Sequence, residues 1–123
     1  MKVEILWAVL LDPIPVEARY SCGSPHHVTL IYGVTDPELW RGWVGMEFEA
    51  LVWAEAWDDR IQALRVHLPE GIPYEGQDPH VTVSYCEGVE PVESNAMLQG
   101  IHVEREWKGI LRLRVELRAS SFL

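Results

Sequence analysis

Two short segments of this chain carry residues suited to moving protons at a phosphate. Pro25-His26-His27-Val28-Thr29-Leu30-Ile31-Tyr32 returns later as Pro79-His80-Val81-Thr82-Val83-Ser84-Tyr85. In each copy a histidine stands two residues before a threonine, with valine between them and an aliphatic residue after. The chain has only three threonines, and two of them occur in this relation. One copy would be a weak signal; two matched copies point to a shared job.

The spacing has a geometric meaning. Side chains on a strand alternate faces, so His27 and Thr29 project together, as do His80 and Thr82, while the valines anchor each strand from behind. An imidazole titrates near pH 6.5, so one histidine can take a proton while the other gives one. Two hydroxyls beside them can donate to non-bridging phosphate oxygens. This set suits metal-independent cleavage of a phosphodiester, each proton-transfer role contributing roughly 10²–10⁴-fold in rate. No metal site and no cofactor are expected. The competing reading is two half-buried strands with coincidental polar residues; convergence of Cys22, His27, His80 and Cys86 on zinc remains after it, with spacings loose for a structural site.

The elements that must hold these residues read mainly as strands. Period-two apolar runs broken by Pro, Gly and Asp cover residues 3–11, 27–33, 47–57, 61–68, 80–86 and 110–118. Short helices fit 35–44 and 91–100, the latter with Pro91 near its start and Gly100 after its end. Asp58-Asp59-Arg60 marks a hairpin, and proline-bearing loops at 12–25 and 69–79 precede the two motifs. Six strands and two short helices predict an antiparallel-rich α+β domain over residues 1–123.

The bulk composition sets outer limits. The 123 residues, 48% hydrophobic and 24% charged, suit one ordinary globular domain. No apolar run is long enough for a membrane span, and Val3 to Leu11 contains Glu4 and lacks a cleavage site, so a cytoplasmic protein is expected. Two cysteines make no disulfide framework. A net charge of −9 repels duplex DNA and long RNA, leaving a small nucleotide or an RNA terminus as the partner, bound by a monomer.

At His27-Val28-Thr29-Leu30 and His80-Val81-Thr82-Val83 the sequence resembles the 2H phosphoesterase superfamily, defined by two H-x-T-x motifs. The resemblance implies a compact, bilobal, pseudo-symmetric fold with the motifs facing one another across a cleft. It also implies catalysis by His27 and His80, phosphate binding by Thr29 and Thr82, and a cyclic-phosphate, cyclic-oligonucleotide or 2′-5′-linked substrate. It is sharp over the motifs and loose elsewhere; the helix many relatives carry before the first motif is replaced by the loop 12–25.

Further pocket candidates are Tyr20 and Tyr74, on the loops before the motifs, for stacking a base. Ser84 shares the parity of His80 and Thr82, and Arg19 could add a phosphate contact. His26, Tyr32 and Tyr85 have the opposite parity; Tyr32 and Tyr85 should pack, and His26 should be structural or solvent-exposed. Trp7, Trp53 and Trp57 are expected in the core, and Arg112, Arg114 and Arg118 on a solvated strand face. Two other classes fit the chain: a module that sequesters nucleotides without turnover, and an interaction protein using exposed tryptophans.

Overall fold

Alternating apolar residues bury one side of each strand, and pairing closes the six strands into a barrel around that side. The computed structural model describes residues 3–23 and 25–120, with side chains over 4–23 and 25–118; Lys2 lies outside this range. The strands are β1 (Val3–Leu10), β2 (His27–Val34), β3 (Glu47–Trp57), β4 (Ile61–His67), β5 (His80–Tyr85) and β6 (Val103–Ser120). Helix α1 is Pro37–Trp40, running into a 3₁₀ turn at Arg41–Trp43, and α2 is Glu93–Gln99. All neighbouring strands are antiparallel, in the order β1-β2-β5-β4-β3-β6.

The order divides into two three-stranded halves, β6-β1-β2 and β3-β4-β5, joined at two seams. One seam is long: β3 and β6 pair from Glu47↔Arg114 to Trp57↔Val103. The other joins the two motif strands and is short, with Val28↔Val81 as its paired residues. Each half carries one motif strand at its end, and pairing at both seams joins the halves into one closed barrel, so the two separate lobes expected from the resemblance do not form.

Leu6, Leu30, Leu64, Val81, Leu113 and Val115 lie in the main core, each burial contributing about 1.5–3 kcal/mol. A smaller cluster forms where Met97 and Leu98 of α2 pack on Ala56, Ile61 and Ala63. Helix α2 is thus fastened to the outside of β3 and β4, next to β5. The β3–β4 turn forms as Asp58-Asp59-Arg60 predicts, since Asp58 Oδ1 accepts from the amides of Arg60 and Ile61 at 2.8 and 3.0 Å.

Two expectations change. Strand β6 begins at Val103, not 110, because Gly109 interrupts the alternation without ending the strand. The pairing with β3 shifts register between Val52 and Ala54, opposite this segment, and a Cβ on Gly109 would lie 2.6 Å from the Trp107 ring. Trp7, Trp53 and Trp57 also do not enter the barrel core. Trp7 is buried against His27, Trp53 lies against His67 and Arg65, and Trp57 lies beneath Arg19. Among the described residues no helix is long and apolar enough to cross a membrane.

Candidate active site

The Val28↔Val81 pair sets the geometry of the motifs. Both valines point into the core. Continuing the antiparallel register one residue each way puts His27 opposite Thr82 and Thr29 opposite His80. All four side chains stand half-buried on the outer face of the barrel. The motifs therefore share one surface patch on neighbouring strands and do not face each other across a gap between lobes. Neighbouring strands extend the patch: Thr29 pairs with Trp7, His27 with Val9, and His80 with Arg65.

Each imidazole is oriented in the same way. His27 Nδ1 donates to the Pro25 carbonyl at 2.7 Å, and His80 Nδ1 donates to the Asp78 carbonyl at 2.6 Å. A carbonyl only accepts, so Nδ1 carries hydrogen in both rings and Nε2 is left as the titrating atom. Burial lowers the pKa of His27; the Pro25 carbonyl pulls the other way, while the nearby cationic positions His80, Arg118 and His26 lower it further. Burial also lowers His80, opposed by the carbonyl and carboxylate of Asp78 and aided by Arg65. Both rings thus favour neutrality in the free protein.

The surroundings of the two Nε2 atoms differ. His80 Nε2 lies 2.9 Å from Ser94 Oγ, which is also 2.8 Å from Thr82 Oγ1 and donates to the Pro91 carbonyl at 2.8 Å. Ser94 is 1% exposed, on the first turn of α2. It has one proton for three neighbours. With His80 neutral, Ser94 can donate to Nε2 while Thr82 donates to the Pro91 carbonyl at 3.4 Å; with His80 an imidazolium, Nε2 and Thr82 both donate to Ser94, which donates to Pro91. His27 instead rests against the Trp7 ring, with centroids 4.2 Å apart. The loop behind His80 is braced as well: Arg65 binds Asp78 at 2.8 Å and Glu104 at 2.9 Å, and Gln99 of α2 binds Asp78 at 2.9 Å.

Nothing in the His-x-Thr pattern points to Ser94. Its sequence signal is a Pro-x-x-Ser start to a helix, and only the docking of α2 on β3 and β4 carries that start to His80.

The secondary candidates scatter. Ser84 points inward, because a bulge between Gln62↔Ser84 and Ala63↔Thr82 breaks the parity that aligned it with His80. Its hydroxyl donates to Gln62 at 2.6 Å and accepts from the Tyr20 amide. Arg19 pairs with Glu55 at 2.9 Å, and the Tyr20 hydroxyl donates to the Asp58 carbonyl. These three residues belong to a polar network around buried Glu55. Burial there is outweighed by hydrogen bonds from Arg19, Arg105 and Gln62, which hold the carboxyl at about 2. Arg19, Tyr20 and Ser84 are therefore engaged away from the histidines.

Tyr74 lines a groove of about 450 Å³ with Trp53, Arg65, His67 and Asp78. It is near the loop that supports His80, and burial together with Asp78 pushes its hydroxyl up to about 12. Tyr32, expected to pack, is 55% exposed, because the register shift between Leu6 and Trp7 turns it outward. Cys22 pairs by backbone with Tyr85, and Cys86 Sγ contacts the Asp59 carbonyl. Among the described residues no three His, Cys, Asp or Glu side chains are grouped to hold a metal ion.

Residues 42–119 match the family described as the fungal tRNA ligase phosphodiesterase domain. The chain belongs to that family. The matched stretch holds His80, Thr82 and Ser94, whereas His27 and Thr29 precede it. Membership in this phosphodiesterase family thus rests on residues 42–119. The first motif enters by the internal repeat and by its place beside β5. No curated protein matches the chain.

Proposed function

We propose that this family member is a phosphodiesterase of the two-histidine type that acts at an RNA end, opening a 2′,3′-cyclic phosphate or cutting a small nucleotide phosphodiester by acid–base catalysis. The observation that carries this reading is the Val28↔Val81 register, which sets both His-x-Thr units on one outer face. The RNA end follows from the family's description, and a small nucleotide follows from the charge of −9.

His27, whose charged neighbours are cationic, stays neutral and takes a proton from the attacking water. Oxygen then bonds to phosphorus as the bond from phosphorus to one ribose oxygen breaks. His80 supplies the proton to that departing oxygen. Its carboxylate neighbour Asp78 favours the charged ring, and Ser94 Oγ occupies the acceptor position that a leaving oxygen would take. A phosphate anion between the rings supplies the opposite charge that offsets their burial. Thr29 and Thr82 donate to its non-bridging oxygens. These proton transfers call for no metal ion from the protein. The domain is taken to act as a single unit, over residues 1–123, in the cytoplasm.

The test is turnover of 2′,3′-cyclic nucleotides and cyclic-phosphate-ended oligonucleotides in EDTA, followed by mass spectrometry. Loss of product in both His27→Ala and His80→Ala supports the roles; full activity in either overturns them. One observation favours a second reading, that of a module which holds nucleotides without cutting them: Ser94 already engages His80 Nε2. Intact ligand recovered after long incubation with wild-type protein would establish that reading.

A further inference from the structure

Seven of the eight arginines form ion pairs with carboxylates: Arg19 and Arg105 with Glu55, Arg41 with Glu38, Arg60 with Glu93, Arg65 with Asp78 and Glu104, Arg112 with Asp12, and Arg114 with Glu116. Arg118 is the exception among the described residues. In a chain of charge −9, a guanidinium without a carboxylate stands out electrostatically. Its position adds to the contrast. The Arg118 guanidinium carbon lies 4.8 Å from the Trp7 ring centre, and that ring lies 4.2 Å from the His27 ring. The cation is therefore within about 9 Å of the imidazole, close enough to lower its pKa.

The strand registers put a second group on the same side. Ile5 pairs with Arg118 on β6 and with Tyr32 on β2, so Arg118 and Tyr32 flank one β1 residue on the outer face. Tyr32 is 55% exposed and offers a ring for stacking. Between this pair and the motif lies Trp7, which is 8% exposed and whose Nε1–H has no partner among the described residues. Among the described residues, a cation without a carboxylate, an exposed aromatic ring and an unpaired donor thus adjoin the first motif.

Building on the RNA-end reading, we propose that Arg118 and Tyr32 form a subsite for the nucleotide next to the scissile phosphate. Arg118 binds that nucleotide's own phosphate, and Tyr32 stacks its base. The substrate class is then an oligonucleotide end rather than a free mononucleotide. The second phosphate gives a negatively charged protein one specific electrostatic hold on RNA.

The experiment compares kcat/KM for a 2′,3′-cyclic mononucleotide and a cyclic-phosphate-ended trinucleotide, in wild type, Arg118→Gln and Tyr32→Ala. The ratio favouring the trinucleotide should fall about tenfold in Arg118→Gln, the scale of one charge-assisted hydrogen bond, and severalfold in Tyr32→Ala. The salt dependence of trinucleotide KM should lose about 0.7 from its log–log slope in Arg118→Gln. An unchanged ratio and slope would overturn the subsite. If wild type turns over neither substrate, the catalytic reading fails. Fluorescence binding of a 3′-phosphorylated trinucleotide then decides the subsite separately: weaker binding in Arg118→Gln supports it, and equal binding refutes it.

Discussion

The two His-x-Thr units look alike in sequence and stand in different surroundings. His80 is enclosed: Ser94 meets its Nε2, Asp78 holds its Nδ1, and Arg65 and Gln99 brace the Asp78 loop. His27 keeps the same Nδ1 contact but rests on an aromatic ring, with Arg118 beyond it. A repeated motif therefore supplies two matched imidazoles, and their neighbours make them unequal. Acid–base chemistry needs that inequality, since one ring must hold a proton while the other lacks one.

Removing either ring tests the pair most severely. His27→Ala and His80→Ala should each lower kcat by roughly 10²–10⁴-fold in a steady-state assay. The hydroxyls come next. Thr29→Val and Thr82→Val should each reduce kcat/KM by about 10²-fold, but thermal denaturation should separate them. Thr82 shares Ser94 and should also lose about 1 kcal/mol of stability, whereas Thr29→Val should leave Tm unchanged. Equal stability losses would erase the proposed difference between the halves.

Ser94→Ala acts on one half alone. It should cost about 1–3 kcal/mol of stability and lower kcat about tenfold, with the limb of the pH–rate profile assigned to His80 displaced. A variant with reduced Tm and an unmoved profile would reduce Ser94 to a packing role.

The smallest effect is on stability against pH. Both histidines are depressed in the folded protein, so the unfolded chain binds more protons as pH falls through the ordinary value of about 6.5. Their contribution is complete above that value and is lost on acidification. Tm should fall between neutral pH and about pH 5, and His80→Gln should flatten that decline. A Tm independent of pH over this range would contradict the burial of the two rings.

Much of the strand plan was legible from local pattern. Alternation around Val28 and Val81 marked the motif strands, and Asp58-Asp59-Arg60 marked the turn between β3 and β4. Parity failed at Ser84 and Tyr32 because a bulge shifts every later side chain by one face, and a bulge depends on the partner strand. It failed for Trp7 because a large apolar residue also buries well on the outside of a barrel, under an imidazole and a guanidinium. Arg19 resembled a phosphate ligand until its distant partner Glu55, 36 residues away, was in place.

By itself the sequence determined which atoms are available for chemistry, two imidazoles each with a hydroxyl two residues on, and that strands would present them on one side. Only the tertiary structure decided that β2 would lie against β5, that Ser94 would reach His80, and that Arg118 would have no carboxylate partner among the described residues. The physical reason is range. Side-chain alternation is a property of consecutive residues, while pairing, burial and charge balance depend on groups that meet only after the barrel closes.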